Sequence, residues 1–231
     1  MTTRIHKAQI KIGTQIDLTS QQAHYLFKVM RKSAGDDVKV FNEIDGEFTC
    51  KITQISKEKC TILPLELVKN YTPTQKVICV FSVIKHKNIE LIIQKCTEIG
   101  IAEFFPLQSQ RCSIEAINFS RLEAIAIEAT EQCGRIDVPR INKAITIKQL
   151  EAMQGEQRAF YLLNQNGKNF IKETQRKEGE SKEIFIICGP EGGFSETEIE
   201  TISNFATKIK ISQNILRAET AAMLGCGLFM I

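Results

Sequence analysis

From Val77 onward, short apolar runs typical of buried strands alternate with segments of helical periodicity, and this alternation constrains the fold more than any other feature. Strands separated by helices predict a parallel sheet covered by helices. Residues 4–68 differ, because they contain strand-like runs with one helical segment. We therefore predict an α/β chain of 231 residues, with a β-rich unit of residues 1–70 and an α/β unit of residues 71–231.

Periodicity and turn signals also predict the individual elements. In the first unit they predict a turn at Asp45-Gly46 and a helix over 20–30 with Ala23, Phe27 and Met30 on one face. The predicted strands of this unit cover 39–41, 47–55 and 59–68. In the second unit, strands are predicted over 77–84, 102–106, 141–145, 159–163, 183–188 and 207–212, a turn at Asn166-Gly167, and helices over 88–99, 120–133, 148–153 and 218–229.

A glycine-rich loop, Gly189-Pro-Glu-Gly-Gly193, follows the apolar strand that ends at Cys188. Ser195-Glu-Thr-Glu198 comes directly after it and has the pattern of a capping box that opens a helix. At the carboxyl end of a parallel strand, glycines allow the backbone to approach a ligand closely. The loop matches neither the dinucleotide nor the triphosphate motif, so the alternatives are another ligand loop or a structural turn.

A second loop, Ile211-Ser-Gln-Asn-Ile-Leu216, lies between the last predicted strand and the C-terminal helix. Its apolar Ile215-Leu216 pair beside backbone polar groups suits a flat ring such as adenine. Two loops of this kind favour one shared ligand over two unrelated turns.

Gly189-Pro-Glu-Gly-Gly-Phe-Ser195 together with Ile215-Leu-Arg-Ala-Glu-Thr-Ala221 resembles the RsmE family of ribosomal RNA uridine-N3 methyltransferases, which belongs to the SPOUT superfamily. The resemblance extends through His24-Tyr-Leu-Phe-Lys-Val-Met-Arg31, Lys95–Gly100 and Glu128–Arg135. It implies an N-terminal PUA-like RNA-binding barrel and a C-terminal SPOUT domain whose trefoil knot and S-adenosylmethionine (SAM) site occupy about 160–231. The family usually has Leu-Gly where this chain has Ile211-Ser212, a change that can alter the local backbone.

The resemblance also implies which residues meet the cofactor, whereas the residues expected to meet RNA come mainly from positive charge that could form a track for phosphates. The expected SAM-binding residues are Leu163, Gly189, Pro190, Glu191, Gly192, Gly193, Ile211, Asn214, Ile215, Leu216 and Ala221. The expected RNA-binding residues are Arg4, His24, Arg31, Lys85, Lys87, Arg111 and Arg135. Tyr25, Phe27, Phe41 and Phe48 either stack on bases or fill the core.

Methylation at N3 of uridine requires removal of the N3 proton, and a nearby cation favours the resulting anion. Arg217 beside the second loop suits that role, while Glu98, Glu191 and Glu219 are candidates for the general base or for contact with the cofactor amine. The alternative is structural: Arg217 and Glu219 pair with each other or cap a helix, and Glu98 is a surface charge.

Composition restricts the remaining possibilities. A net charge of +3 does not by itself establish RNA binding. The eight cysteines contain no Cys-x-x-Cys spacing, so we expect buried thiols in a reducing cytosol and no metal site. No apolar run approaches the length of a membrane span, so we expect a cytoplasmic protein with no membrane partner.

The leading hypothesis is a homodimeric, SAM-dependent enzyme that acts on small-subunit ribosomal RNA, either free or in the assembled subunit. Two alternatives remain open. One is a non-catalytic RNA-binding or ribosome-assembly factor with the same fold, and the other is a hydrolase that uses Cys188 as nucleophile.

Overall fold

The computed structural model describes residues 3–7, 9–72, 76–112, 116–170 and 183–230. The chain forms two compact units. The first comprises Met1–Pro73 and Thr130–Val138, and the second comprises Thr74–Ala129 and Pro139–Ile231. Residues 130–138 therefore belong with the N-terminal unit although they lie far from it in sequence.

The first unit is built on a five-stranded sheet with the strand order β1-β3-β4-β5-β2. Its strands are β1 (Arg4–His6), β2 (Ile16–Asp17), β3 (Asp37–Asn42), β4 (Gly46–Ile55) and β5 (Cys60–Lys69). The strands predicted over 39–41, 47–55 and 59–68 are confirmed. The turn between β3 and β4 covers residues 43–45, and Gly46 opens β4 with φ +96°. A Cβ at Gly46 would lie 2.5 Å from the Lys69 carbonyl oxygen, so this close strand approach requires glycine.

The predicted helix over 20–30 is two elements, namely α1 (Ser20–His24) and a π-helical turn (Tyr25–Val29). The prediction that Phe27 lies on the buried face is wrong: Ala23 and Leu26 are fully buried, while Phe27 is 37% exposed. A π-helical turn widens the residue spacing and rotates the following side chains away from the face that an α-helix would present.

The second unit contains a seven-stranded sheet in which every strand pair is parallel, as the alternating pattern predicts. The strand order is β12-β10-β11-β6-β7-β8, and β9 also pairs with β7. The strands are β6 (Lys76–Ser82), β7 (Glu103–Gln108), β8 (Arg140–Ile141), β9 (Ile145–Thr146), β10 (Arg158–Asn169), β11 (Glu183–Cys188) and β12 (Thr207–Lys210). The helices are α2 (His86–Ile99), α3 (Phe119–Cys133), α4 (Ile147–Glu151), α5 (Glu196–Ser203) and α6 (Ala218–Gly227).

Two predicted strands of this unit need correction. The single strand expected over 141–145 is split into β8 and β9, because only its two ends pair with β7. The strand expected over 159–163 continues to Asn169, and its pairing with β12 jumps from Leu163 to Lys168, both opposite Ile209. Residues 164–167 therefore form a bulge rather than the free turn that Asn166-Gly167 indicates.

Apolar side chains fill both units. In the second unit, Ile89, Ile92, Ile93 and Cys96 are buried along one face of α2, which confirms that amphipathic pattern. No helix within the described ranges combines the length and the apolar character that a bilayer span requires. The trefoil knot implied by the family resemblance stays a prediction.

Candidate functional site

The glycine-rich loop lies where β11 ends and α5 begins, at the carboxyl edge of the parallel sheet. Ser195 caps α5: its Oγ accepts a hydrogen bond from the Glu198 backbone, and Glu198 accepts one from the Ser195 backbone. A Cβ at Gly189 would lie 3.1 Å from the Phe194 ring, and Gly193 has φ +68°. Glycine thus permits the close packing of Gly189 against this ring, and Gly193 has a backbone conformation that favours glycine.

The second loop connects β12 to α6, whose N-cap is Arg217. The Ser212 hydroxyl accepts a hydrogen bond from the Asn214 backbone N–H at 3.0 Å. Gln165, in the bulge of β10, donates from Nε2 to the Asn214 carbonyl oxygen at 2.9 Å. Ser212, where the family usually has glycine, therefore stabilises a local turn, and Gln165 holds that turn against the neighbouring strand.

The two loops and the β10 bulge enclose a cavity of about 530 Å³, a volume typical of small-molecule sites. Of the residues expected to bind SAM, all except Gly192 and Asn214 line this cavity. Their role in cofactor binding stays a prediction. Sequence reasoning missed Asn164, Gln165, Asn166, Phe194, Ile199 and Lys210, which also line it. Asn164, Gln165 and Asn166 were missed because the sequence predicted a free turn at Asn166-Gly167 instead of a bulge. Nothing in the local pattern distinguished Lys210 from other surface lysines.

The catalytic candidates lie in three different environments. Arg217 is exposed, lines the cavity and makes no ion pair within the described part of the chain. Glu191 also lines the cavity, and its Oε1 lies 3.5 Å from Asn88 Nδ2. Glu219 is buried in the first turn of α6 but does not line the cavity, and its Oε2 has no hydrogen-bond partner among the described residues. Glu98 does not line the cavity: it lies near the end of α2 and pairs with Lys95 at 2.9 Å, so its catalytic role stays a prediction that this position does not support.

Cys188 lies at the end of β11 and lines the cavity. Burial, with further contributions from Cys96 and Glu219, raises the pKa of the Cys188 thiol to about 12. Its Sγ lies 3.3 Å from the Ala218 carbonyl oxygen, to which it donates. A thiol that stays protonated at neutral pH is a poor nucleophile, which argues against the hydrolase alternative.

Three other buried thiols, Cys79, Cys96 and Cys226, have sulfur atoms within 4.8 Å of one another. They belong to β6, α2 and α6, and all three have no exposed surface. Hydrogen bonds with Cys79 and Cys96, together with burial, raise the pKa of the Cys226 thiol. Free buried cysteines commonly behave as small apolar side chains, so we interpret this cluster as core packing and assign no metal to it.

The loop after β7 contacts the glycine-rich loop directly. Arg111 donates from Nη1 to the Gly192 carbonyl oxygen at 2.8 Å, and the Gln110 backbone N–H donates to Glu198 Oε1 at 2.7 Å. Lys85 and Lys87, at the start of α2, are exposed and also follow a strand of this sheet. Three of the cations expected to bind RNA, namely Lys85, Lys87 and Arg111, thus lie at the carboxyl edge where the cavity opens.

The RNA candidates of the first unit divide into two groups. Arg4 and Arg135 have side chains only 11% and 12% exposed. Arg4 binds Glu47 and the Arg135 carbonyl oxygen, and Arg135 pairs with Asp137 at 2.6 Å. The structure therefore argues against phosphate-binding roles for both arginines, because their donors serve the internal packing of the unit.

His24 and Arg31 are exposed, and Arg31 has φ +52°. Between them, the π-helical turn presents Tyr25 and Phe27, each 37% exposed, and Lys28 Nζ lies 5.5 Å from the centre of the Phe27 ring. Phe41 and Phe48, by contrast, are buried in the core. Of the four aromatic candidates, Tyr25 and Phe27 are therefore the two that are accessible for stacking.

Comparisons with known proteins agree with this geometry. Residues 70–230 match the RNA methyltransferase domain family, and residues 18–65 match the RNA methyltransferase PUA domain family. The chain is 35% identical to the ribosomal RNA small subunit methyltransferase E of Rickettsia conorii, over 91% of this chain and 87% of that protein. It is 28% identical to the protein of the same name from Bacillus subtilis, over 94% of this chain and 90% of that protein.

A solved structure shares the fold across both units. The ribosomal RNA small subunit methyltransferase E of Neisseria gonorrhoeae, bound to SAM, superposes with a TM-score of 0.88 at 22% identity. The match covers 99% of this chain and 97% of that one.

Proposed function

The chain belongs to the RNA methyltransferase family that includes the ribosomal RNA small subunit methyltransferase E proteins, and from this premise we propose that it methylates N3 of a uridine in small-subunit ribosomal RNA. SAM is the proposed methyl donor. One observation carries the proposal: the two loops singled out by sequence form the walls of a single cavity. A ribosomal RNA substrate would place the protein in the cytoplasm.

The cavity has the properties that SAM requires. Leu163, Ile211 and Leu216 supply apolar walls for a flat ring. Ile215 also lines the cavity and is 89% exposed, an unusual state for an isoleucine that a bound ligand or a partner chain would relieve. Gly189 leaves the backbone of the loop accessible. Backbone polar groups beside an apolar wall can distinguish adenine from other rings by hydrogen bonding.

When bound, SAM supplies an electrophilic methyl group. The protein must then hold the uridine, remove its N3 proton and stabilise the negative charge that spreads onto O2 and O4. Arg217 is proposed to stabilise this charge, because it lines the cavity and makes no ion pair with any residue that the structure describes. Glu191 is the first candidate for the proton acceptor because it lines the cavity, whereas Glu219 does not. N3 is itself nucleophilic once deprotonated, so no enzyme nucleophile is needed.

RNA binding is proposed to use two separate groups of residues. In the first unit, His24, Lys28 and Arg31 would contact phosphates while Tyr25 and Phe27 stack on unpaired bases. In the second unit, Lys85, Lys87 and Arg111 would contact phosphates beside the cavity.

We also propose a homodimer. Besides Ile215, the second unit leaves Leu91 of α2 36% exposed and Leu224 of α6 39% exposed. A second copy of the chain could bury such side chains, and light scattering during gel filtration would measure the assembly directly.

The first test combines SAM titration with methyl transfer. Purified protein is titrated with SAM by calorimetry, then incubated with labelled SAM and small ribosomal subunits that lack the modification. Subunits that already carry 3-methyluridine are the matched control. We expect micromolar or tighter binding, corresponding to about −8 kcal/mol or better, and label in 3-methyluridine after nuclease digestion.

Each other result has a distinct meaning. Label in a different nucleoside would retain the enzyme and refute the N3 assignment. SAM binding without label on any subunit would refute this substrate. Neither binding nor label would favour the non-catalytic RNA-binding or assembly factor.

A further inference from the structure

In the described part of the chain, three helices begin with a complete capping box, and one of these boxes uses a different residue type. The boxes of α1 and α4 use Gln22 and Gln149 as the third helical residue. Each of these amides accepts one hydrogen bond from its N-cap backbone N–H, at 3.1 Å and 2.9 Å respectively. A single acceptor oxygen is therefore sufficient to close a capping box in this fold.

The capping box of α5 uses Glu198, and both of its carboxylate oxygens are engaged. Oε2 accepts from the Ser195 backbone N–H at 2.8 Å, which closes the box. Oε1 accepts from the Gln110 backbone N–H at 2.7 Å, which lies 88 residues away in the loop after β7. Glu198 is only 7% exposed, so both hydrogen bonds are shielded from water.

These two hydrogen bonds join the segments that flank the glycine-rich loop. Ser195 ends that loop, while Gln110 precedes Arg111, whose guanidinium donates to the Gly192 carbonyl oxygen at 2.8 Å. The aliphatic part of Arg111 also passes close to Gly192, since a Cβ there would lie 3.4 Å from Arg111 Cδ. The glycine-rich loop is thus attached to the loop after β7 at two points, one on each side of Gly193.

We propose that Glu198 is a positioning residue for cofactor binding: its second oxygen fastens the glycine-rich loop to the loop after β7 and so presets the wall of the cavity. This inference rests on the proposed function for the identity of the ligand. The two backbone donors reach different oxygens of Glu198, and a glutamine would offer an oxygen at only one of these positions and an amide donor group at the other. A glutamine here could satisfy Ser195 or Gln110 but would turn its NH₂ group toward the other N–H.

The decisive variant is therefore Glu198→Gln, which preserves side-chain size and the capping box but removes one acceptor. We expect the Kd and KM for SAM to rise about tenfold while kcat stays within about twofold, because the preset wall acts before chemistry. Glu196→Gln is the matched control, since it removes the same charge from the same first turn at an exposed position. The control is expected to match the wild-type protein.

Three results would overturn the proposal. The first is an unchanged SAM Kd in Glu198→Gln despite a lowered Tm, because the residue would then serve helix stability alone. The second is an equal rise in Glu196→Gln, because charge rather than the second acceptor would be responsible. The third is a fall in kcat with an unchanged KM for SAM.

One measurement needs no variant and does not depend on the ligand. The Gln110 amide of the wild-type protein should be protected from hydrogen exchange, whereas exchange at the rate of an exposed loop would refute the hydrogen bond to Glu198. If the wild-type protein fails to bind SAM, the proposed function is refuted. Protection of the Gln110 amide would still show that its hydrogen bond to Glu198 exists. Protection together with normal SAM binding in Glu198→Gln would refute the positioning role alone.

Discussion

Gly167→Ala adds a single methyl group but should lower the free energy of unfolding of the second unit substantially. A Cβ at this position would lie 2.6 Å from the backbone N and C of Ile209 and 2.7 Å from the backbone C of Lys208, where ordinary contacts begin near 3.4 Å. The clashing atoms are all backbone, so no side-chain rotation relieves them. The bulge of β10 and strand β12 must move apart, and we expect a loss of about 3 kcal/mol, at the upper end of the usual range for overpacking.

This loss should lower the Tm by about 6–12 °C in a protein of this size. Because β12 leads into the loop at Ile211–Leu216, the Kd for SAM should also rise, by about tenfold. Gly155→Ala is the control, since its Cβ would meet only Arg158 Cδ at 4.0 Å. That control should leave the Tm unchanged or raise it by reducing the freedom of the unfolded chain. Equal Tm values for the two variants would refute the close backbone approach at Gly167.

Three further results are expected. Arg217→Ala should lower kcat about 100-fold with little change in the SAM Kd, and a Kd that rises as much as kcat falls would assign Arg217 to cofactor binding instead. Cys188→Ala should keep its activity, and ionisation of Cys188 should not appear in the pH profile of methyl transfer below about pH 10, because burial raises the pKa of this thiol to about 12. Loss of methyl transfer with normal SAM binding would contradict this. Burial raises the pKa of Glu47, but hydrogen bonds from Lys39 and Arg4 outweigh burial, and the net effect is a lowered pKa. The ionised Glu47 carboxylate therefore stabilises the folded protein above about pH 4.5, and this stabilisation is lost as the pH falls through the pKa of Glu47 in the folded state. Glu47→Gln should therefore cost about 3 kcal/mol at pH 7 in urea denaturation and less at pH 3, and a pH-independent cost would contradict the ionic origin.

Much of the candidate site could be predicted from the sequence because its features depend on local chemistry. Glycines at fixed offsets, the Ser195–Glu198 capping box and the Ile215-Leu216 pair depend on neighbours within a few residues, and the structure places both loops around one cavity. The parallel sheet was also predictable, because the alternation of strand and helix patterns is visible within local segments of the sequence. Where periodicity was misleading, as at Phe27, a π-helical turn had changed the spacing that the pattern assumed.

Long-range packing decided the rest. Glu98 and Glu191 are the same residue type, yet one pairs with Lys95 on the surface and the other lines the cavity. Arg4 was expected to bind phosphate from its charge, but in the fold its guanidinium donates to Glu47 and to backbone carbonyl oxygens.

The sequence by itself determined most of the local elements, because hydrogen bonding and side-chain periodicity within a segment specify them; the exceptions are the π-helical turn, the split strand β8–β9 and the bulge of β10. Only the tertiary structure decided that the Gln110 amide meets Glu198, since that contact depends on the order in which distant strands pair.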